Sequence, residues 1–143
     1  MSDKINPFEK KKKGVFFFKS SNPYEFYDLL NGKNMDDKQD VWGTLIFPEN
    51  VKKPCPLIIP IHGSAGLREG HHTHMVNLLD AGFAIFRIHH FESRGVISIV
   101  ENQTEVTLAS MITDAFRALT LVSKHPDVDS DKIGIMGWSL GGS

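Results

Sequence analysis

The sequence predicts an α/β fold in which a mostly parallel sheet is flanked by helices. Residues 56–63 (PLIIPIHG) and 83–88 (FAIFRI) are near-continuous apolar runs, the composition of strands that are buried on both faces. Residues 72–82 between them, and residues 104–124 after them, repeat apolar side chains at helical spacing. Because parallel strands are joined by crossovers that usually contain a helix, this alternation favours a parallel sheet.

The other elements can be placed in chain order. Residues 15–18 (VFFF) form a possible strand, and the Asn-Pro and Asn-Gly pairs that follow mark turns around a short helical segment. Residues 41–48 (VWGTLIFP) alternate and end at a proline, as expected of a second strand. After the long helix, residues 127–131 (DVDSD) are predicted to form a polar turn and residues 132–137 (KIGIMG) a last strand. The predicted apolar stripe of the long helix consists of Leu108, Ile112, Ala115, Leu119 and Val122.

Length and composition predict one domain. With 143 residues, 41% of them apolar, the chain can bury a sizeable core. We expect residues 1–40 to be an N-terminal extension with the first strand region, and residues 41–143 to hold the core strands and helices of an incomplete domain. A net charge of -1 gives no argument for nucleic acid or a membrane surface as partner. The single cysteine, Cys55, is expected to be inert and agrees with a cytoplasmic location.

Two glycine-containing motifs follow predicted strands. Residues 137–141 (GWSLG) fit the pattern G-x-S-x-G, in which a sharp turn after a buried strand exposes the hydroxyl of the serine, here Ser139. Residues 61–66 (IHGSAG) end an earlier buried strand. Acyl transfer needs two backbone N–H donors for the oxyanion, one after the nucleophile and one from a neighbouring loop. The sequence therefore predicts Ser139 as nucleophile and the amides of Leu140 and Ser64 as donors.

The two motifs, together with FESRGV, ITDAFRAL and KHPDVDSDKIGIMGWSLGG, resemble the dienelactone hydrolase family over about residues 41–143. The resemblance implies the N-terminal part of an α/β-hydrolase fold and hydrolysis of a carboxylic ester or lactone through an acyl-enzyme on Ser139. It implies no metal or organic cofactor. The enzymes that name the family have a cysteine nucleophile and a glutamate where this chain has Ser139 and Gly63, and many relatives have Asp-Ser-Phe in place of residues 89–91 (HHF).

The position of Ser139 near the end of the sequence raises alternatives. In this fold the catalytic acid and histidine follow the nucleophile, whereas all seven histidines here precede it. We therefore expect a piece of a longer protein, truncated just after the nucleophile turn, inactive by itself and with an exposed edge strand. The alternatives are a non-catalytic remnant, a module completed by another chain, or a serine peptidase within the same fold. The expected partner is a small-molecule ester or lactone, and the oligomeric state is left open.

Several other polar residues are candidates for a role. Arg94 follows a predicted strand at the edge where open α/β sheets bind ligands, so it is either a clamp for a substrate carboxylate or an exposed loop arginine. Asp114 precedes the nucleophile and is read as a helix-surface or hydrogen-bonding residue, not as the catalytic acid. His62 is read as a hydrogen-bonded structural group. The cluster His71, His72 and His74 is either a metal site or a set of side chains that crowds the mouth of the cleft or meets solvent.

Overall fold

The computed structural model describes residues 6–143, so the first five residues of the predicted N-terminal extension lie outside it. Five strands form one sheet in the order β1-β2-β4-β3-β5. The central strands β3, β4 and β5 are parallel, and β1 and β2 add an antiparallel pair beside β4. The predicted α/β fold with a mostly parallel sheet is confirmed. The strands are β1 (Gly14–Ser20), β2 (Gln39–Ile46), β3 (Cys55–Ile61), β4 (Ala84–Ile88) and β5 (Val128–Gly137).

Three α-helices accompany the sheet: α1 (Phe26–Asn31), α2 (Glu69–Asp80) and α3 (Leu108–Val122), with 3₁₀ turns at Glu92–Arg94 and Ser139–Gly142. The helix α3 is shorter than the predicted 104–124. It begins after Thr107, whose side-chain oxygen accepts a hydrogen bond from the amide of Ser110 and so caps the first turn. Within the described residues, no helix combines the length and apolar character that a bilayer crossing requires.

The core lies on both faces of the central strands. Adjacent residues, which point to opposite faces of a strand, are buried in both strands: Ile59 and Pro60 of β3, and Ile85 and Phe86 of β4. This burial on both faces explains why the two strands have continuous apolar sequences. In β2 the alternation is retained, and Gly43 leaves the space that the ring of Phe86 fills, because a Cβ there would overlap the ring.

The polar turn predicted over residues 127–131 is wrong for residues 128–131, which belong to the beginning of β5, whereas Asp127 lies in a turn. Cys55 pairs with Val128, whereas Leu57 pairs with Ile133, so β5 carries extra residues between two points of contact with β3. Residues 130–132 are exposed, and β5 lies at the edge of the sheet. Polar side chains are tolerated there because they face water while the flanking residues keep the register.

The predicted apolar stripe of α3 is only partly buried. The fully buried face instead contains Met111, Asp114, Ala118 and Val122. Three residues of the predicted stripe line a groove of about 290 Å³ between α3 and β5, together with Phe116 and Ile135, which are 64% and 63% exposed. The three residues are Ile112, Ala115 and Leu119. The apolar residues of α3 therefore serve two surfaces, one facing the core and one facing this groove.

Candidate active site

The serine of the G-x-S-x-G motif sits at a strained turn directly after β5. The last pair of the sheet joins Ile61 to Gly137, and the amide of Trp138 donates a hydrogen bond to Ile61 O at 3.0 Å. Ser139 follows with φ = 52°, in the left-handed region that non-glycine residues rarely occupy, and its side chain is exposed. Such strain persists only where the surrounding structure holds it, and it is common at functional turns.

The two motif glycines are required by close backbone packing. A Cβ on Gly137 would overlap the carbonyl oxygen of Gly141, and a Cβ on Gly141 would overlap the carbonyl oxygens of Ile61 and His62. The turn therefore folds back onto the end of β3 and leaves no room for a side chain at position 137 or at position 141.

The loop after β3 lies against this turn. A Cβ on Gly63 would be 3.1 Å from the Cβ of Ser139 and 3.2 Å from Trp138 O. The loop is closed by a hydrogen bond from the Gly66 amide to Gly63 O at 3.0 Å, and Gly66 has φ = 79°, which favours glycine. The carbonyl of Ser64 accepts a bond from the Ile99 amide at 2.8 Å. The sheet thus brings together the two motifs that the sequence separates by more than seventy residues.

The two backbone amides predicted to bind an oxyanion are unengaged. Within residues 6–143, neither the Ser64 amide nor the Leu140 amide donates a hydrogen bond, although the neighbouring amides of Gly66 and Gly141 do. A Cβ on Gly63 would be 3.8 Å from the nitrogen of Leu140, so the Leu140 amide lies beside the loop that contains the Ser64 amide.

A pocket of about 270 Å³ opens beside Ser139. Its walls are the loop from Gly63 to Gly66 and the side chains of Arg68, His71, Val100 and Trp138. The apolar groove between α3 and β5 is of similar volume but contains no residue of either motif. Of these two cavities, the pocket beside Ser139 is therefore the candidate active site, because it is lined by residues of both motifs.

His71 forms one wall of this pocket and is held in place by two contacts. Its ring stacks on Trp138 with centroids 4.3 Å apart and planes 19° apart, and its Nδ1 accepts a hydrogen bond from the Arg68 amide at 3.1 Å. Burial lowers the pKa of His71, with His74 and Arg68 adding to the effect. In residues 6–143 no three His, Cys, Asp or Glu side chains form a group that could hold a metal ion.

His62 supports the loop and does not contact Ser139. It is 3% exposed, and its Nδ1 donates a hydrogen bond to Gly63 O at 2.9 Å. Burial, followed by the electrostatic effect of the neighbouring His90, lowers the pKa of His62 to about 4. The ring packs edge-on against Phe91 with centroids 4.4 Å apart. A neutral, fully packed ring matches the structural interpretation of this residue.

Arg94 is engaged within the chain and does not face the pocket. Two of its N–H groups donate to the two carboxylate oxygens of Asp114 at 2.7 and 2.9 Å. The other three donate to His90 O, Ser21 O and Asn22 Oδ1. All five donors are occupied and the side chain is 7% exposed, so no N–H remains for a substrate carboxylate. The low exposure of the side chain also differs from the alternative of an exposed loop arginine.

Asp114 is the centre of a buried polar network that the sequence reading only partly anticipated. It accepts hydrogen bonds from Ser20 Oγ and from His90 Nδ1 as well as from Arg94. Burial alone raises the pKa of Asp114, but the hydrogen bonds from Arg94 and His90 outweigh burial and lower it. The network also accounts for His90, which had no explanation in the sequence. The missed signal is that Asp114 shares a helix face with Met111 and Ala118, where a charge needs a buried partner.

The chain matches one family model and is similar in structure to several hydrolases. The sequence pattern of the BD-FAE family matches residues 44–143. Est1E from Butyrivibrio proteoclasticus is similar in structure, with a TM-score of 0.55 and 21% identity over 87% of this chain and 40% of that chain. A dienelactone hydrolase-like promiscuous phosphotriesterase, P91 from metagenomic libraries, gives a TM-score of 0.57 and 17% identity over 87% and 49% of the two chains.

A third similar structure is the thermophilic esterase Est2 of the planctomycete Thermogutta terrifontis. It gives a TM-score of 0.58 and 17% identity over 94% of this chain and 44% of that chain. A search of curated protein sequences finds no match. At these identities the likeness shows the α/β-hydrolase fold, and the chain spans less than half the length of these three relatives.

Proposed function

The chain belongs to the BD-FAE family of hydrolases, and from this premise we propose that the protein hydrolyses carboxylic ester or lactone bonds through an acyl-enzyme on Ser139. The observation that carries the proposal is the strained, exposed Ser139 (φ = 52°) pressed against the loop at Gly63, with two free amides nearby. Family membership supports a hydrolase, and the serine mechanism is our inference from this turn.

In the proposed reaction Oγ of Ser139 attacks the acyl carbon and gives up its proton to a base. The carbonyl oxygen becomes an oxyanion that the amides of Ser64 and Leu140 bind. The alcohol leaves with a proton returned by the base, and water then hydrolyses the acyl-enzyme. Because the two amides have no protein acceptor in residues 6–143, they are available without breaking an existing hydrogen bond.

The base is proposed to be a histidine outside the 143 residues of this chain. No histidine in residues 6–143 forms a hydrogen bond to Ser139. His62 is bound to Gly63 O, and His71 is stacked on Trp138 with its Nδ1 already accepting a bond. In this proposal Ser139 is the nucleophile, the two amides are the oxyanion donors, and the base comes from another part of the protein.

The proposed substrates are small-molecule esters or lactones. Est2 from Thermogutta terrifontis is named an esterase and P91 a phosphotriesterase, which supports attack on ester bonds by this fold. The 270 Å³ pocket beside Ser139 is of the size expected for one substituent of a small ester. A cytoplasmic location, expected from the single cysteine, is part of the same proposal.

The proposal is tested by labelling the natural full-length protein with a fluorophosphonate, which modifies activated serines. We expect stoichiometric labelling of the protein and none of a Ser139→Ala variant, because the probe's phosphorus takes the place of the acyl carbon. The matched control is Ser143→Ala, which removes an exposed hydroxyl four residues further on. Labelling of Ser139→Ala to the same extent as the natural protein would remove Ser139 from the mechanism.

A further inference from the structure

The pocket beside Ser139 is lined by one exposed arginine that has no carboxylate oxygen within 4.0 Å among the described residues. Of the four arginines, three have a carboxylate oxygen within 4.0 Å. These pairs are Arg87 with Glu92, Arg94 with Asp114, and Arg117 with Asp37. Arg68 has no such partner within residues 6–143, and it is the arginine that lines the pocket with Ser139.

The rest of the pocket wall does not reverse this charge. The lining residues include no aspartate or glutamate, and besides Arg68 they include His71. Burial, with smaller contributions from His74 and Arg68, lowers the pKa of His71 and so favours its neutral form, which leaves Arg68 as the charged residue of the pocket lining. A positive charge beside a cleft raises the local concentration of oppositely charged ligands. The pocket is therefore suited to an anion.

The backbone of Arg68 is tied to the turn that carries Ser139. Its amide donates to Nδ1 of His71, and the His71 ring stacks on Trp138, the residue before Ser139. Because these contacts connect the start of α2 to the end of β5, the backbone of Arg68 is held against the turn of Ser139, and both residues line the same pocket. A planar fork with five donors matches the oxygens of a carboxylate or a phosphate, and its charge does not depend on pH in the physiological range.

We propose that Arg68 is a specificity-determining residue that binds an oxyanionic substituent of the ester substrate while Ser139 attacks the acyl group. The inference rests on the proposed hydrolase function. The donors of Arg94 are all used inside the chain, so Arg94 cannot recognise a negative group. We assign this recognition to Arg68, which lines the pocket.

The test compares three esters in the natural full-length protein: monoethyl adipate, ethyl 6-(phosphonooxy)hexanoate and the neutral diethyl adipate, with the released acid followed at constant pH. We expect Arg68→Gln to lower kcat/KM for at least one charged ester relative to diethyl adipate by about tenfold or more, mainly through KM. Arg68→Lys should retain part of the preference, because it keeps the charge and loses the fork. The charged ester that is more affected identifies the oxyanion.

The matched control is Arg117→Gln, a half-buried arginine on α3 outside the pocket, which should leave the ratio between charged and neutral esters unchanged. If the ratio of kcat/KM for the charged esters to kcat/KM for diethyl adipate is the same in Arg68→Gln as in the natural protein, the proposal is overturned. So does an equal fall in Arg117→Gln, which would indicate a general effect of net charge.

A second measurement does not depend on hydrolysis. Adipate is titrated into the protein while the ring resonance of His71 is followed by NMR, and binding should raise the pKa of His71 because an anion stabilises the imidazolium. Arg68→Gln should abolish this response, and its persistence would overturn the proposal. If Ser139→Ala still hydrolyses the esters, the proposed function fails while the adipate response continues to report on Arg68, so the two failures are distinguishable.

Discussion

At the level of single residues, the turn around Ser139 depends on two glycines that have no Cβ, Gly137 and Gly141. Gly137 and Gly141 are both positions where a Cβ would overlap a backbone carbonyl, so only glycine allows the turn to close on the end of β3. The positive φ of Ser139 is a consequence of this closure. The strain and the packing are two aspects of one feature, and a change at either glycine should disturb both.

We predict that Gly141→Ala lowers the free energy of unfolding by about 2 kcal/mol or more, because the methyl group meets the carbonyls of Ile61 and His62 and the backbone must shift. The control is Gly70→Ala in α2, where a Cβ meets nothing within 4 Å. That substitution should stabilise the protein by about 0.5–1 kcal/mol through helix propensity. Urea unfolding measures both, and equal stability of the two variants would contradict the steric argument.

The two arginines Arg94 and Arg68 show that residue type alone does not assign a role. Arg94 finds acceptors near the end of β1, in the segment after β4 and on α3, up to 73 residues away in the sequence. Arg68 finds no carboxylate in residues 6–143 and faces the pocket. Both follow predicted strands and both precede the nucleophile, so the difference between them arises only when the chain is folded.

At the level of elements, the network around Asp114 connects three parts of the fold. Ser20 ends β1, His90 precedes the 3₁₀ turn after β4, Arg94 is the last residue of that turn, and Asp114 lies on the buried face of α3. Asp114 is 0% exposed, so its charge is acceptable only because Arg94 and His90 surround it. The network fixes how α3 packs on the sheet and shapes the segment that leads to Ile99, whose amide holds the carbonyl of Ser64.

We predict that Asp114→Asn destabilises the protein by about 3–5 kcal/mol, because it leaves the buried guanidinium of Arg94 without a counter-charge. The control is Asp40→Asn, which removes the exposed partner of Lys19 and should cost less than about 1 kcal/mol. Thermal or urea unfolding of the two variants is the measurement. A cost for Asp114→Asn as small as that of Asp40→Asn would mean that Arg94 is not held by this pair.

The edge strand β5 shows how an element can differ from its local sequence. Residues 127–131 contain three aspartates and a serine, which are typical of a turn, but residues from 128 onward belong to β5 because Val128 still pairs with Cys55 of β3. Within residues 6–143, β5 has a strand neighbour on one side only, so its polar residues can face water. The same edge position exposes Ile135 beside the groove of α3.

At the level of the whole molecule, buried neutral histidines make stability depend on pH. The folded state holds the pKa of His62 at about 4, against 6.5 for a solvated histidine. Below pH 6.5 the unfolded chain takes up a proton at this residue that the folded protein does not, so stability falls as the pH drops from 6.5 towards 4. His71 and His125, whose pKa values burial also lowers, act in the same direction. Stability should therefore be fully present above about pH 6.5.

We predict that His62→Asn makes the free energy of unfolding less dependent on pH between pH 6.5 and 4. The variant should take up fewer protons on unfolding, by up to about one, since asparagine keeps a donor for Gly63 O but does not titrate. The measurement is the free energy of urea unfolding at several pH values for both proteins. Parallel curves would show that His62 is protonated equally in the folded and unfolded states. In Asp114, whose folded pKa is lowered, the loss of stability comes only below its ordinary value near 3.8.

The sequence by itself determined the alternation of strands and helices, the parallel centre of the sheet, and the position of the G-x-S-x-G turn directly after a strand. These are properties of short stretches, since apolar periodicity and glycine placement act over a few residues. Element boundaries were less well determined, as α3 and β5 show, because caps and strand partners decide where an element begins.

Only the tertiary structure decided which distant residues meet. The contact of Gly63 with Ser139, the burial of Asp114 with Arg94 and His90, and the free charge of Arg68 depend on strand order and register, which bring together residues far apart in the chain. A local pattern contains no information about such partners. The energy of a charge depends on whether a counter-charge lies within a few ångströms, and that distance exists only in the folded molecule.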